Sequence, residues 1–570
     1  MDSENPPPGA GGISRRRFLQ GAAAAMGSLY LGGVAGHAPG AGSAPAGSVD
    51  PADMNIVIFM TDQERSIQHF PPGWAEQNLP GLTQLRRHGL EFTQATTSAA
   101  MCSPARSTML TGYFPAQHGV KYTLETDMND PSLYPQVNLP TPDVLPNLGT
   151  VMAAAGYYTV FKGKWHCSKP PNGATTEPPD MLEPYGWHRW NPQDAGANQS
   201  IPQMGGGMAD NDGRYMASVG DVDEGEEGVL QFLQAWPSIR QTLPANQQKF
   251  CLIISLVNPH DVLAYPLNDD AAGYSGAWFD GDIGLPATVN EDLSTKPQAQ
   301  QAFRKLSVGL GPLPRPSQKR AYLNFYGNLM RASDNYLVNV IAALKAISTS
   351  SGSTVFDQTL IIRTSDHGEM GMAHGGLRQK NFNMYEETMR VPLVFSNPTL
   401  FPRPRQSDAL VSHVDLLPTL ASLVRAPASA TAPWAGVDYS KLILDPRARP
   451  PQDDVVFTYD DFQSGQASPP YVPPPQHVVA IRERRWKIAR YHSVAPDAVA
   501  PEYEMYDLFK DPLETTNIAG RSYRRSRAEQ AEFARLRRKL DAVERTRLQP
   551  LPTTVEPPMP TNPVYRGVKP

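Results

Sequence analysis

The chain has 570 residues, 40% of them hydrophobic and 19% charged, which suits one large globular domain with a smaller one and excludes a disordered chain. Its 51 basic and 56 acidic residues leave a net charge of −5, which argues against a nucleic-acid binder, a class marked by a basic excess. The 57 prolines predict long ordered loops over a rigid scaffold.

At the N-terminus, "SRRRFLQGAAAAMGSLYLGGVAG" sets Arg15 and Arg16 ahead of Phe18 and Leu19, and a mildly apolar run extends to Gly36. This pattern matches a twin-arginine export signal, with cleavage points among the small residues between Ala38 and Ala46. Residues 1–48 are therefore expected to be signal and linker, with the twin-arginine translocase as a partner and a periplasmic or extracellular destination. The apolar run is too short for a membrane span, and no later segment is a candidate.

The next segment, "NIVIFM" (55–60), reads as a buried strand that ends in Thr61, Asp62 and Gln63. Cys102 follows in "AAMCSPARSTMLTG" (99–112), among small polar residues and close to Pro104 and Arg106. A helix is expected over 145–156. The strand "YYTVF" (157–161) then leads into Lys164 and His166, and "CLIISLV" (251–257) leads into "NPHD", with His260 and Asp261. A second helix is expected over 322–347, and "TLIIR" (359–363) leads into Asp366 and His367. Near-continuous Val, Ile and Leu runs are how buried parallel strands read, and their alternation with helices predicts an α/β domain. In open α/β sheets, ligands bind outside the carboxyl ends of the strands. All four polar clusters fall at that edge. Each alone reads as a turn or a helix cap; their convergence with Cys102 argues for an active site.

Three cysteines are an odd number for an exported protein. Cys167 follows one strand and Cys251 begins another, so parallel strands place them at opposite ends of the sheet. That is beyond disulfide reach, and both are expected to be free, unreactive thiols.

Asp62, Gln63, Asp366 and His367 offer two carboxylates, an amide oxygen and an imidazole, which suits one divalent cation such as Ca²⁺, Mg²⁺ or Mn²⁺. Arg106, Lys164 and Lys380 are cations for an anionic substrate, and His166 and His260 are candidates for proton transfer. This is equipment for displacement at sulfur or phosphorus. No His-Glu-x-x-His, P-loop, paired Cys-x-x-Cys or complete Gly-x-Gly-x-x-Gly pattern occurs.

The Pro-, Gly- and acid-rich stretches 168–247 and 261–316 follow strand ends and are expected to rise over the site and select substrate. A helix over 413–424 closes a catalytic domain spanning 49–440. Residues 478–491 and 503–520 read as hairpin and turn in a smaller subdomain, 441–548. There Phe533, Leu536, Leu540 and Val543 recur at helical spacing, and the Arg-rich opposite side is expected to be a solvated face rather than a site for an anionic polymer. Residues 549–570 form a Pro-rich tail.

Several segments carry a family resemblance. "CSPARSTMLTG" resembles the cysteine signature of type I sulfatases, in the alkaline phosphatase superfamily, and "GYYTVFKGKWH" resembles their second signature. "NIVIFMTDQ", "NPHD", "SDHGEMGMAHG" and "KNFNMYEETMRVP" are similar to further family segments, in the family's order, over about 55–511. The resemblance implies an alkaline phosphatase-like fold: a large, mostly parallel sheet sandwiched by helices, with a smaller C-terminal antiparallel-sheet subdomain. It also implies a sulfatase that hydrolyses a sulfate ester of a small molecule or carbohydrate to an alcohol and inorganic sulfate, as an arylsulfatase or choline sulfatase does.

By the same resemblance, a formylglycine-generating enzyme would oxidise Cys102 to Cα-formylglycine (3-oxoalanine), recognising Pro104 and Arg106. One hydroxyl of the hydrated aldehyde would attack sulfur and the other would expel sulfate. Asp62, Gln63, Asp366 and His367 would bind the metal together with residue 102, Ca²⁺ first and Mn²⁺ or Mg²⁺ next. Arg106 and Lys164 would hold the diol and His166 would take its proton. His260, Lys380 and, as a neighbour, His374 would contact the sulfate ester, with His260 acting as the acid toward the leaving oxygen. Tyr385, Glu386 and Arg390 would support the site. Many members carry Asp where Gln63 stands and Asn where His367 stands, which weakens the preference for Ca²⁺. The Gln-and-His version is also typical of choline sulfatase-like and phosphonate monoester hydrolase-like relatives, but the latter usually lack the Lys and His of "GKWH". A phosphonate or phosphate diester hydrolase is therefore the nearest alternative. A sulfatase-like binding protein that is never converted is a more distant one.

Overall fold

The structure is a computed structural model that describes residues 50–67, 69–125, 136–170, 174, 176–218, 226–466, 469–494 and 499–557. The expected signal (1–48) and the end of the tail (558–570) lie outside the described residues.

All four strands expected from apolar runs form. In chain order the strands of the first half are β1 (Asn55–Asp62), β2 (Gly89–Phe92), β3 (Ala95–Thr96), β4 (Ala99–Ala100), β5 (Tyr157–Gly163) and β6 (Lys249–Pro259). They continue with β7 (Thr359–Ser365), β8 (Leu393–Ser396), β9 (Arg405–Ser407), β10 (Val411–Ser412), β11 (Asp454–Tyr459), β12 (His477–Glu483), β13 (Trp486–His492) and β14 (Glu502–Asp507). A large sheet has the order β5-β6-β1-β7-β8-β2-β9. Its first four strands are parallel, with Ile56 opposite both Cys251 and Leu360, and Val160 opposite Leu252. Strand β8 is antiparallel to both β7 and β2, and β9 is parallel to β2, so β8 alone runs against the rest.

Every residue of β1 is buried, because alternate side chains enter two separate cores. Ile56, Ile58, Met60, Ile253 and Ile362 pack on one face against α1 (Cys102–Thr111), α2 (Leu148–Ala154) and α5 (Leu416–Leu423). Val57, Phe59, Leu252, Ile254 and Ile361 pack on the other against α3 (Val229–Thr242) and α4 (Pro316–Ala346). The result is a mostly parallel sheet sandwiched by helices, as expected. Helix α4 starts earlier than the apolar pattern predicts. Pro316 at its first position needs no N–H partner, and the Gln318 side chain accepts from Arg315 N–H at 3.2 Å.

A second sheet has the order β14-β13-β12-β11-β4. Strands β11 to β14 are antiparallel neighbours, as expected for the C-terminal part, but β4, just before Cys102, adds to the edge parallel to β11 through Ala99 and Ala100. Helix α6 (Arg527–Thr546) opens on a capping box, Ser526 with Glu529, and buries Phe533, Leu536, Leu540 and Val543 against Val479, Ile481, Ile488 and Met505. Its basic side is not simply solvated. Arg535 pairs with Glu483 at 2.6 Å, Lys539 with Asp454 at 2.7 Å, and the Arg537 guanidinium lies 5.0 Å from the Tyr503 ring centre. No helix among the described residues is long and apolar enough to cross a membrane.

Candidate active site

Cys102 is the first residue of α1, with Met101 as its N-cap, so it stands at the end of the helix where free N–H groups leave partial positive charge. The helix is buried along its whole length and ends at Gly112, whose φ of 72° lets its N–H reach Thr108 O at 2.9 Å. The side chain of Cys102 meets residues from the carboxyl ends of β1 and β7. Its Sγ is 3.1 Å from His367 Nε2 and 3.5 Å from Asp62 Oδ1. One donor atom each from Asp62, Cys102, Asp366 and His367 lies within 4.8 Å of the others, and all four residues are buried. The His367 Nδ1–H donates to Gly368 O at 3.0 Å, which leaves the Nε2 lone pair facing this cluster. Two carboxylates and an imidazole nitrogen at this separation fit a divalent cation.

Gln63 is the fourth expected ligand. Its Nε2 donates to Glu369 Oε2 at 2.6 Å and its Oε1 accepts from Lys380 Nζ at 2.7 Å. Glu369 Oε1 in turn accepts from Tyr322 OH at 2.7 Å, Gln379 N–H at 2.9 Å and Gly371 N–H at 3.1 Å.

Arg106 does not spend its donors on residue 102, as the sequence reading expected. Nη2 donates to Asp62 Oδ2 and Nε to Asp366 Oδ2, both at 3.0 Å, while Nη1 reaches Ser255 Oγ at 2.7 Å and Lys164 O at 2.9 Å. All three nitrogens have protein acceptors, so its place is behind the two carboxylates. Lys164 Nζ pairs with Asp62 Oδ2 at 2.6 Å and donates to Gly196 O at 2.5 Å.

The buried charges respond to one another. Burial would raise the Asp62 carboxyl, but Lys164 and Arg106, with His260 and His367, hold it well below the usual range. Asp366 is pushed up to about 6, by burial first and then by the Asp62 charge. Burial would lower Lys164, yet Asp62 and Cys102 leave it raised. His166 and His260 are lowered well below the usual imidazole value, chiefly by burial, and His367 is lowered for the same reason. His166 is held at its backbone by Asp194, which accepts from His166 N–H at 2.7 Å and Trp165 N–H at 2.9 Å. Its Nε2–H donates to Leu124 O at 2.7 Å, so the buried Nδ1 keeps a lone pair with no hydrogen-bond partner. That is the tautomer a proton acceptor needs.

Cys102 opens into a cleft of about 340 Å³ lined by Met101, Thr123, Glu125, Ala197–Ser200, His260, Leu263, Gln379, Lys380, Ser464 and Gly465. The two long stretches expected over the site supply Ala197–Ser200 and Leu263. His260 follows β6, and the next residue, Asp261, anchors the turn by accepting from Gly205 and Gly206 N–H, each at 2.9 Å.

The structure does not bring His374 to this cleft. Its ring stacks on Tyr385 with centres 3.6 Å apart and lies between Glu291 at 2.7 Å and Glu387 at 3.6 Å. Tyr385 donates to Glu504 at 2.9 Å, and Glu386 pairs with Lys487 at 2.7 Å and Arg482 at 3.3 Å, so both tie the two sheets together behind the site. Arg390 donates to Thr93 O at 2.6 Å. Cys167 and Cys251 are free and buried, and burial pushes the Cys167 thiol up to about 12 and raises the Cys251 thiol also. Sequence reasoning missed Glu125, Asp194 and Glu369. Glu369 sits within "SDHGEMG" and could have been singled out there; the other two carry no local signal.

The sulfatase family model matches residues 54–426, and a model for the C-terminal part of N-sulphoglucosamine sulphohydrolase matches residues 374–545. Among curated relatives, the choline-sulfatase of Rhizobium meliloti is 26% identical over 476 residues, covering 82% of each chain. Among solved structures, a putative sulfatase from Bacteroides thetaiotaomicron aligns with TM-score 0.63 and 18% identity over 90% of this chain and 100% of that one. The phosphonate monoester hydrolase of Agrobacterium radiobacter aligns with TM-score 0.56 and 20% identity over 86% and 95%. At these identities the two structures speak for the fold alone.

Proposed function

Because the chain belongs to the sulfatase family and is a sulfuric ester hydrolase, we propose that it cleaves its ester at the cleft above Cys102, with that residue converted to formylglycine and one divalent cation bound beside it. The observation that carries this reading is the meeting of Cys102, Asp62, Asp366 and His367 within 4.8 Å at the positive end of a buried helix. Asp62, Gln63, Asp366 and His367 would hold the cation, Ca²⁺ first, with Mn²⁺ a close competitor because one donor is an imidazole nitrogen. The cation would supply Lewis acidity and the converted residue a hydrated aldehyde, with one hydroxyl to attack sulfur and a second to release sulfate.

The chain's own residues do the rest. Lys164 and Arg106 keep Asp62 ionised and fix both carboxylates in place. His166, neutral and with a free Nδ1 lone pair, accepts the proton from the attacking hydroxyl. Lys380 and His260 line the cleft, where Lys380 neutralises the sulfate and His260, neutral until the anionic ester binds beside it, donates its N–H toward the departing alcohol oxygen. The pairing of Lys164 and His166 in "GKWH" favours sulfate over a phosphonate diester. The same reading includes export through the twin-arginine signal, conversion by a formylglycine-generating enzyme, a catalytic part over 49–440 and a smaller part over 441–548.

Two measurements test it. The intact mass of a native peptide containing Cys102 should be that of an aldehyde residue; cysteine alone would end the mechanism. On matched aryl esters, kcat/KM should be higher for the sulfate, and a higher value for the phosphonate would reassign the enzyme.

A further inference from the structure

Glu125 has no counterpart in the reaction described above. It is 3% exposed, lines the same cleft as Cys102, His260 and Lys380, and its Oε2 is buried with no hydrogen-bond partner. An unpaired buried carboxyl oxygen is destabilising, and each such group calls for a physical explanation. Its acidic neighbour Asp461 has no such deficit. It accepts from Thr123 Oγ1 at 2.9 Å, Thr123 N–H at 3.0 Å and Ser464 N–H at 2.9 Å, so it stays behind the wall while Glu125 remains open. Among the described residues, the rest of the lining apart from His260 and Lys380 is neutral, with Thr123, Asn198, Gln199, Ser200 and Ser464 among its polar members.

We propose that Glu125 is the recognition group for the alcohol half of the substrate, and that this half carries a hydrogen-bond donor, a protonated amine above all. The inference rests on the sulfatase reading, because the sulfate end is what orients the ester between Lys380 and residue 102. Glu125 then faces the portion beyond the ester oxygen. A carboxylate there attracts an N–H⁺ donor, accepts from a hydroxyl less strongly, and repels a uronate or a second sulfate. Among the described residues the cleft lining contains no aromatic side chain, so there a quaternary ammonium, which has no N–H to donate, finds neither a hydrogen bond nor an aromatic face. Burial, then Asp461 and Cys102, push the Glu125 carboxyl well above the usual range, and a cationic donor offsets that penalty.

The test compares 4-(aminomethyl)phenyl sulfate with 4-methylphenyl sulfate on the full exported chain and on its Glu125→Gln variant. For the native enzyme, kcat/KM should favour the amine at least about tenfold, as a hydrogen bond between charged groups implies, and the ratio should collapse toward one in the variant. A ratio near one in the native enzyme, or a ratio unchanged by the substitution, overturns the assignment. So does an equal loss on both substrates, which would put Glu125 at the ester itself. Calorimetry with the product 4-(aminomethyl)phenol against 4-methylphenol reads the same subsite without turnover. If neither sulfate is hydrolysed but the amine still binds more tightly in a Glu125-dependent way, the reaction assignment fails and the subsite stands.

Discussion

The Gln63–Glu369 contact yields the sharpest prediction about the metal site. Glu369 accepts four hydrogen bonds: one from the Gln63 amide at 2.6 Å, and three on its other oxygen, from Tyr322, Gly371 and Gln379. In Glu369→Gln the new amide has one oxygen. Three donors claim it, so its NH₂ turns toward Gln63 and opposes the Gln63 NH₂. Gln63 must flip to restore a hydrogen bond, and it then presents NH₂ instead of Oε1 to Lys380 and the cation. The lost interaction is a hydrogen bond to a charged group, worth about 1.5–3 kcal/mol, or a roughly tenfold to hundredfold weaker divalent cation. Calorimetric titration of the metal-free protein with Ca²⁺ and with Mn²⁺ reads this directly, independently of turnover.

The double variant Gln63→Glu, Glu369→Gln reverses the polarity of the contact. The new carboxylate at 63 accepts from the new NH₂ at 369 with one oxygen and offers the other to the cation. Binding should recover to the native level or beyond. Gln63→Glu alone sets two carboxylates in contact at a buried site, which raises the pKa of one of them and destabilises the metal-free protein. Native-like metal affinity in Glu369→Gln, or additive effects in the double variant, would refute the coupling.

Cys102→Ala should abolish sulfate ester turnover while shifting unfolding by only about 1 kcal/mol, because one small side chain is lost; residual turnover near the native rate would remove Cys102 from the mechanism. His166→Ala should lower kcat by about 10²–10⁴-fold, and Lys164→Ala should lower kcat more than it changes KM; native values in steady-state assays would refute both roles. His374 titrates at about 9, because hydrogen bonds and charges from Glu291 and Glu387 outweigh its burial, and Glu387 at about 2 reports the same contact from the other side. A raised folded-state pKa means that the stabilisation is complete below about pH 6.5 and is lost as pH rises through about 9. The gap in urea-unfolding stability between native protein and His374→Gln should therefore be about 3 kcal/mol at pH 6 and shrink toward pH 9.5; a gap independent of pH would refute the ion pair.

The central strands were legible because both of their faces are buried. Strand β1 is apolar at every position from Ile56 to Met60, and its approach to the site is marked by the first polar residues after that run, Thr61 and Asp62. The same logic located His166, His260 and Asp366 at strand ends. What the sequence did not disclose depends on partners far along the chain. Gln63 and Glu369 are 306 residues apart, and β4 joins β11 across more than 350 residues. Short edge strands such as β4 and β9 carry too few residues to show a period, and Glu125 stands in no pattern at all.

Arg106 shows why identity of residue is not identity of role. Its guanidinium faces two carboxylates that must sit side by side to hold a cation, and without counter-charge that arrangement would repel itself. Lys164 and Lys380 add two more basic groups, while burial keeps His166, His260 and His367 from charging. Gln63 contributes an oxygen without a charge. Arg106 and Lys164 therefore answer Asp62 and Asp366 directly, and Lys380 reaches Gln63, whose own amide is held by the buried Glu369. Cations held this close to the end of α1 favour an ionised nucleophile and an anionic ester there. The replacement of a carboxylate by Gln63 and of an amide by His367 thus does more than alter the choice of metal. It takes one negative charge out of the ligand set, and Glu125, in the lining of the same cleft, offers an acidic group to the alcohol half.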